Sequence, residues 1–107
     1  MSGRLLYENP LTDEADIRAF VLEGQARFAF DGGFLRMENA LPSSEGQRAN
    51  FVLWCPEEFP DNVRIAWEFQ PIAEPGLAML FFAAGARGGG GIFDDGLAAR
   101  TGEYAQY

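Results

Sequence analysis

The sequence contains no histidine and no lysine, and its one cysteine is Cys55. Without histidine, a zinc site loses its commonest nitrogen ligand and a nucleophilic serine or cysteine loses its usual base. A single cysteine closes no internal disulfide. Cys55 lies between Trp54 and Pro56, a setting that suits a small buried hydrophobe rather than a reactive thiol. No apolar run is long enough to span a bilayer. Residues 1–10 lack the apolar segment of a secretory signal. These absences point to a soluble, cytoplasmic protein without a cofactor or bound metal.

Positive charge is scarce as well. Eight arginines stand against sixteen acidic residues, for a net charge of −8 and a pI near 4.3. Such a chain repels phosphate backbones and anionic lipid surfaces, which argues against nucleic acid and membrane partners. Neutral ligands such as sugars remain compatible. With 107 residues, the chain holds one domain (1–107) with a modest core.

What the chain does have is aromatic side chains and strand patterning. Ten Phe, three Tyr and two Trp suit sheet cores. In residues 63–70, Val63, Ile65, Trp67 and Phe69 alternate with Arg64, Ala66, Glu68 and Gln70, the period of a strand with one packed and one polar face. Residues 77–84 are apolar on both faces and read as a central strand. Pro71 and the pair Pro75-Gly76 punctuate the link. On this reading Trp67 is a core residue.

Other elements are legible around this pair. Asp31-Gly32-Gly33 marks a hairpin between arms 27–30 and 34–38, with Phe28 and Phe30 on one face and Leu35 and Met37 inward. Short strands are expected at 20–22 and 51–55. Thr12 is placed to cap a helical turn over 15–19. Residues 39–50 read as an exposed polar loop, 97–100 as a helical turn and 101–107 as the opening of another strand. Strands at this spacing predict an all-β, antiparallel sandwich that is incomplete within these residues.

The chemistry-bearing candidates are few. Gly88-Gly89-Gly90-Gly91 has no following Lys-Ser/Thr, so it is no phosphate loop but a mobile one. Asp94-Asp95-Gly96 reads as an ordinary turn before a calcium site. Glu68 sits on the polar side of the 63–70 strand between Arg64 and Gln70, a rigid mount for an acid or base. An exposed carboxylate paired with Arg64 is the plainer alternative. Trp54, Tyr104 and Tyr107 offer flat faces on which sugar rings stack, with a core position an equal alternative for Trp54.

The runs Phe51-Val52-Leu53-Trp54-Cys55-Pro56, Pro75-Gly76-Leu77-Ala78-Met79-Leu80-Phe81-Phe82-Ala83-Ala84 and Arg100-Thr101-Gly102-Glu103-Tyr104, with Leu22-Glu23-Gly24, resemble the YesU-like family of uncharacterised bacterial proteins. The resemblance spans nearly the whole chain, though members of that family run further. It implies a concanavalin A-like jelly roll, of the lectin and glucanase superfamily, and an association with plant cell-wall polysaccharide such as pectin or rhamnogalacturonan. Two functions follow as expectations. One is a carbohydrate-binding jelly-roll module whose concave sheet face uses Glu68, Arg64, Gln70 and Arg100 with the aromatic platforms Trp54, Tyr104 and Tyr107 to hold an oligosaccharide. The other is the N-terminal part of a hydrolase or lyase with Glu68 as acid or base and Arg64 or Arg100 orienting an acidic sugar. Open edge strands would also allow pairing with a second copy.

Overall fold

The structure is a computed structural model, and it describes residues 3–73 and 76–107. They form two compact units: Met1–Glu58 with Ala99–Tyr107, and Phe59–Ala98. Regular structure among the described residues lies in the first unit and is short antiparallel strand with a few 3-10 turns. The chain is therefore all-β in character.

In the first unit, β1 (Val21–Gly24) is followed by β2 (Ala26–Asp31) and β3 (Phe34–Asn39), and later by β4 (Phe51–Trp54). β2 and β3 are the expected hairpin. Gly32 and Gly33 both take positive φ, +60° and +84°, which lets a two-residue turn match the twist of its arms. The register sets Phe30 opposite Leu35 and Phe28 opposite Met37. Along β2 the side chains alternate, with Ala26, Phe28 and Phe30 half-buried and Arg27, Ala29 and Asp31 exposed. Leu35 is half-buried as expected, but Met37 is exposed, although Phe28 opposite it is half-buried against Phe51.

β1 and β4 form a second two-stranded sheet, with Val21 opposite Trp54, Leu22 opposite Leu53 and Glu23 opposite Val52. Opposed residues share a face. Leu22 and Leu53 therefore point one way, and with Ile17, Phe20, Phe28 and Phe30, together with the charged Glu14 and Arg18, they line an open groove of about 540 Å³. Phe28 meets Phe51 edge to face, with ring centroids 6.3 Å apart. Ala49 is the one buried hydrophobic residue among those described.

The N-terminal turn forms at Glu14–Ile17, and its cap is Asp13 rather than Thr12. Asp13 Oδ1 accepts from the Ala15 N–H at 2.9 Å. Asp16 Oδ2 accepts in return from the N–H groups of Asp13 and Thr12 and from the Thr12 hydroxyl. These bonds, led by the Thr12 N–H, hold the Asp16 carboxyl below its ordinary range. Aspartate wins the cap because its partner three residues on is also acidic and short, which completes a reciprocal pair. The polar stretch after β3 contains a 3-10 segment, Ser43–Ala49, broken at Gly46 where φ is +61°.

Residues 63–70 and 77–84 do not form strands. Trp67 and Phe69 are each 60% exposed, so Trp67 is not a core residue. A strand needs a neighbour to complete its hydrogen bonds and a cover for its apolar row; no strand forms among the described residues of 59–98 to supply either. Pro75, half of the expected turn between them, lies outside the described residues. Residues 97–100 form no helical turn. Residues 101–107 are not a strand: Gly102 takes φ +96°, and the chain bends into a 3-10 turn at Tyr104–Gln106. Among the described residues no helix is long and apolar enough to cross a membrane.

Candidate functional site

Glu23 is the buried charged residue of the described chain, with 9% of its surface exposed. On β1 it points away from Leu22 and the groove. The diagonal neighbour on that face is Trp54 of β4, whose Nε1–H donates to Glu23 Oε1 at 2.9 Å. A diagonal cross-strand pair lies within reach of a side chain as long as indole.

Two glycines bring the last segment of the first unit to this face. Gly24 and Gly102 have φ of +93° and +96°. A β-carbon on either would stand 2.6 Å from the carbonyl oxygen of Asn50, and one on Gly24 would also stand 2.6 Å from that of Thr101. Three backbones thus meet where no side chain fits. The segment is held further by Gln47 Oε1, which accepts from the Tyr104 N–H at 2.8 Å, and by Gln106 Oε1, which accepts from the Thr101 N–H at 2.6 Å.

This approach delivers Arg100 and Tyr107 to Glu23. Arg100 Nε donates to both carboxylate oxygens at 3.0 Å, and Nη2 donates to Oε2 at 2.6 Å. The Tyr107 hydroxyl donates to Oε1 at 2.8 Å and accepts from the Gly102 N–H at 3.1 Å. The guanidinium carbon of Arg100 lies 5.9 Å from the centre of the Tyr107 ring, within cation–π range.

The electrostatics follow from these contacts. Burial pushes the Glu23 carboxyl up, but the hydrogen bonds from Arg100, Trp54 and Tyr107 outweigh it and hold the group below its ordinary value. The bond to Glu23 raises Arg100. Tyr107 is pushed up to about 12, by burial first and then by its bond to the Glu23 carboxylate. At neutral pH the cluster therefore holds one carboxylate, one guanidinium and one neutral phenol. A carboxylate that accepts from three side chains and resists protonation is a poor general base and no general acid. It is suited to fixing the positions of two aromatic rings and an arginine.

Three residues expected at a site, Trp54, Arg100 and Tyr107, thus converge on Glu23. Tyr104 lies on the same terminal segment with its ring exposed. Glu68, Arg64 and Gln70 belong to the second unit and are exposed there. Glu23 itself is the member that strand reasoning passed over. Its signal was a lone acid in an apolar strand entry, Val21-Leu22-Glu23-Gly24, with an aromatic strand elsewhere to receive it. Among the described residues, no group of three acidic or cysteine side chains is arranged to hold a metal ion.

The fold and site together define an all-β protein of short antiparallel strands, with one carboxylate binding an arginine and two aromatic residues. The chain belongs to the family described as "Domain of unknown function (DUF1961)", which matches residues 4–107. It is 42% identical over 105 residues to the "Uncharacterized protein YesU" of Bacillus subtilis (strain 168). That match takes in 98% of this chain and 46% of YesU, so the chain spans about half the length of the curated relative it matches. The YesU-like resemblance of the sequence is thereby confirmed as family membership. No solved structure matches the chain.

Proposed function

We propose that the protein is a carbohydrate-binding module built as part of a jelly-roll sandwich, and that the Glu23 face receives the sugar. The observation that carries this reading is the tethering of Trp54 and Tyr107 to a single carboxylate beside Arg100. Aromatic rings present an apolar platform to the C–H face of a sugar, while polar groups at their edge meet its hydroxyls. Ordering the rings in advance reduces what binding must freeze. Because Glu23 is ionised and its oxygens are engaged, the cluster favours holding a ligand over cleaving one. Within the plant cell-wall class that the family resemblance implies, a net charge of −8 favours neutral oligosaccharides over acidic ones.

The test is calorimetric titration of the chain with neutral glucan, galactan and arabinan oligosaccharides and with pectin-derived acidic ones. Saturable binding to a neutral member is expected, weakened about tenfold or more by Tyr107→Ala, as for loss of an anchoring aromatic. Near-UV circular dichroism of the variant separates loss of the platform from loss of fold. No affinity across the panel would overturn the reading. Release of new reducing ends, abolished by Glu68→Gln, would replace it with an enzyme.

A further inference from the structure

Tyr104 and Tyr107 stand three positions apart in the sequence. In a strand, that odd spacing would send their side chains to opposite faces. The structure instead closes Tyr104–Gln106 into a 3-10 turn, with the Tyr107 N–H donating to the Tyr104 carbonyl at 3.2 Å. Three residues complete one turn of such a helix, so positions three apart eclipse one another, offset by about 6 Å along its axis. Both tyrosines therefore lie on one side of the turn. They also stay open to solvent, with Tyr104 52% and Tyr107 46% exposed.

The turn is built by its own side chains. Gln106 Oε1 accepts from the Thr101 N–H at 2.6 Å, and Gln106 Nε2 donates to Thr101 Oγ1 at 3.2 Å. The Thr101 hydroxyl donates in turn to Glu103 Oε2 at 3.1 Å. The two tyrosines are then anchored by different means. Gln47 Oε1 holds the backbone N–H of Tyr104 at 2.8 Å, whereas Tyr107 is held through its hydroxyl on Glu23, with Arg100 5.9 Å from its ring centre. Their spacing is thus set before anything binds, which reduces what binding must order.

We propose that Tyr104 is a second platform, so that the Glu23 face reads two consecutive units of a linear neutral oligosaccharide rather than one. Tyr107, with Trp54 and Arg100 around Glu23, holds the first unit, and Tyr104 holds the next. The offset between the two tyrosines is close to the advance of one sugar ring along an extended chain. This inference rests on the sugar reading of the same face. Because the bonds to Glu23 come from Trp54, Arg100 and Tyr107, removing the Tyr104 ring leaves that cluster intact.

The experiment titrates the full chain with mono-, di-, tri- and tetrasaccharides of the glucan, galactan and arabinan series, followed by nuclear magnetic resonance so that weak binding is read. Affinity is expected to rise about tenfold from one unit to two, as for an added aromatic anchor, and little beyond two. Tyr104→Ala should remove that step and leave monosaccharide affinity unchanged, whereas Tyr104→Phe should keep it. An unchanged near-UV circular dichroism signal checks that the alanine variant is folded. Binding without a step between one unit and two would overturn this inference alone. So would a step that survives Tyr104→Ala, or a loss of monosaccharide affinity in that variant. Failure of every sugar to bind would overturn the sugar reading itself, and this inference with it.

Discussion

Gly102 and Asn50 touch backbone to backbone: a β-carbon at Gly102 would stand 2.6 Å from the Asn50 carbonyl oxygen. That contact fixes where the terminal segment crosses β1 and β4, and so where Arg100 and Tyr107 arrive. Gly102→Ala should destabilise the first unit by more than the ~1–3 kcal/mol that an unfavourable φ alone costs. Gly33→Ala is the matched comparison, since its φ is +84° but its surroundings are open. Urea unfolding of the two variants checks this. Equal losses would mean that the close approach contributes nothing.

Removing Glu23 strands a cation. Its side chain and that of Arg100 are 10% and 15% exposed, so the pair is largely out of water. Glu23→Ala should cost about 3–5 kcal/mol, as expected when one partner of a buried pair is lost. Glu23→Leu combined with Arg100→Met should cost clearly less, because no charge is left uncompensated. A double-mutant cycle measures the coupling. Additive losses would show that the two side chains act separately.

The same cluster predicts two pH edges. The Glu23 pKa is lowered on folding, so its contribution is present above the unfolded carboxyl value and is lost as pH falls through the lower folded value. The Tyr107 pKa is raised from 10.0 to about 12, so its contribution is present below pH 10.0 and is lost as pH rises towards about 12. Absorbance at the phenolate band should show one tyrosine ionising late, and Tyr107→Phe should remove that step. A Tyr107 that ionises with ordinary tyrosines would contradict the hydrogen bond to Glu23.

Trp67→Ala should leave the stability of the chain alone within about 0.5 kcal/mol, as for other exposed substitutions. Thermal unfolding followed by far-UV circular dichroism provides the measurement. A loss of several kcal/mol would place Trp67 in a core.

The hairpin was legible because Gly32 and Gly33 act locally: the turn, the arms and the facing of Phe28 and Phe30 all follow from nearest neighbours. β1 and β4 were visible for the same reason. The Glu23 cluster was only half legible. Trp54, Arg100 and Tyr107 stood out by type, but their meeting depends on the Gly24–Asn50–Gly102 contact, which no periodicity records. The reading of 63–70 and 77–84 failed in the opposite way. Alternation at Val63, Ile65, Trp67 and Phe69 states what a strand would bury, but the partner that would make it a strand lies beyond the reach of the pattern. Tyr104–Gln106 turned out helical because Gln106 folds back on Thr101.

Glu23 and Arg100 are separated by 77 positions in the chain. Bringing such distant points together costs on the order of 2 kcal/mol more loop entropy than closing a ten-residue hairpin. The β2–β3 arms can therefore assemble early, while the carboxylate waits for its arginine until the long excursion between them has been gathered in. Shortening that excursion would speed the final closure without altering a single contact around Glu23.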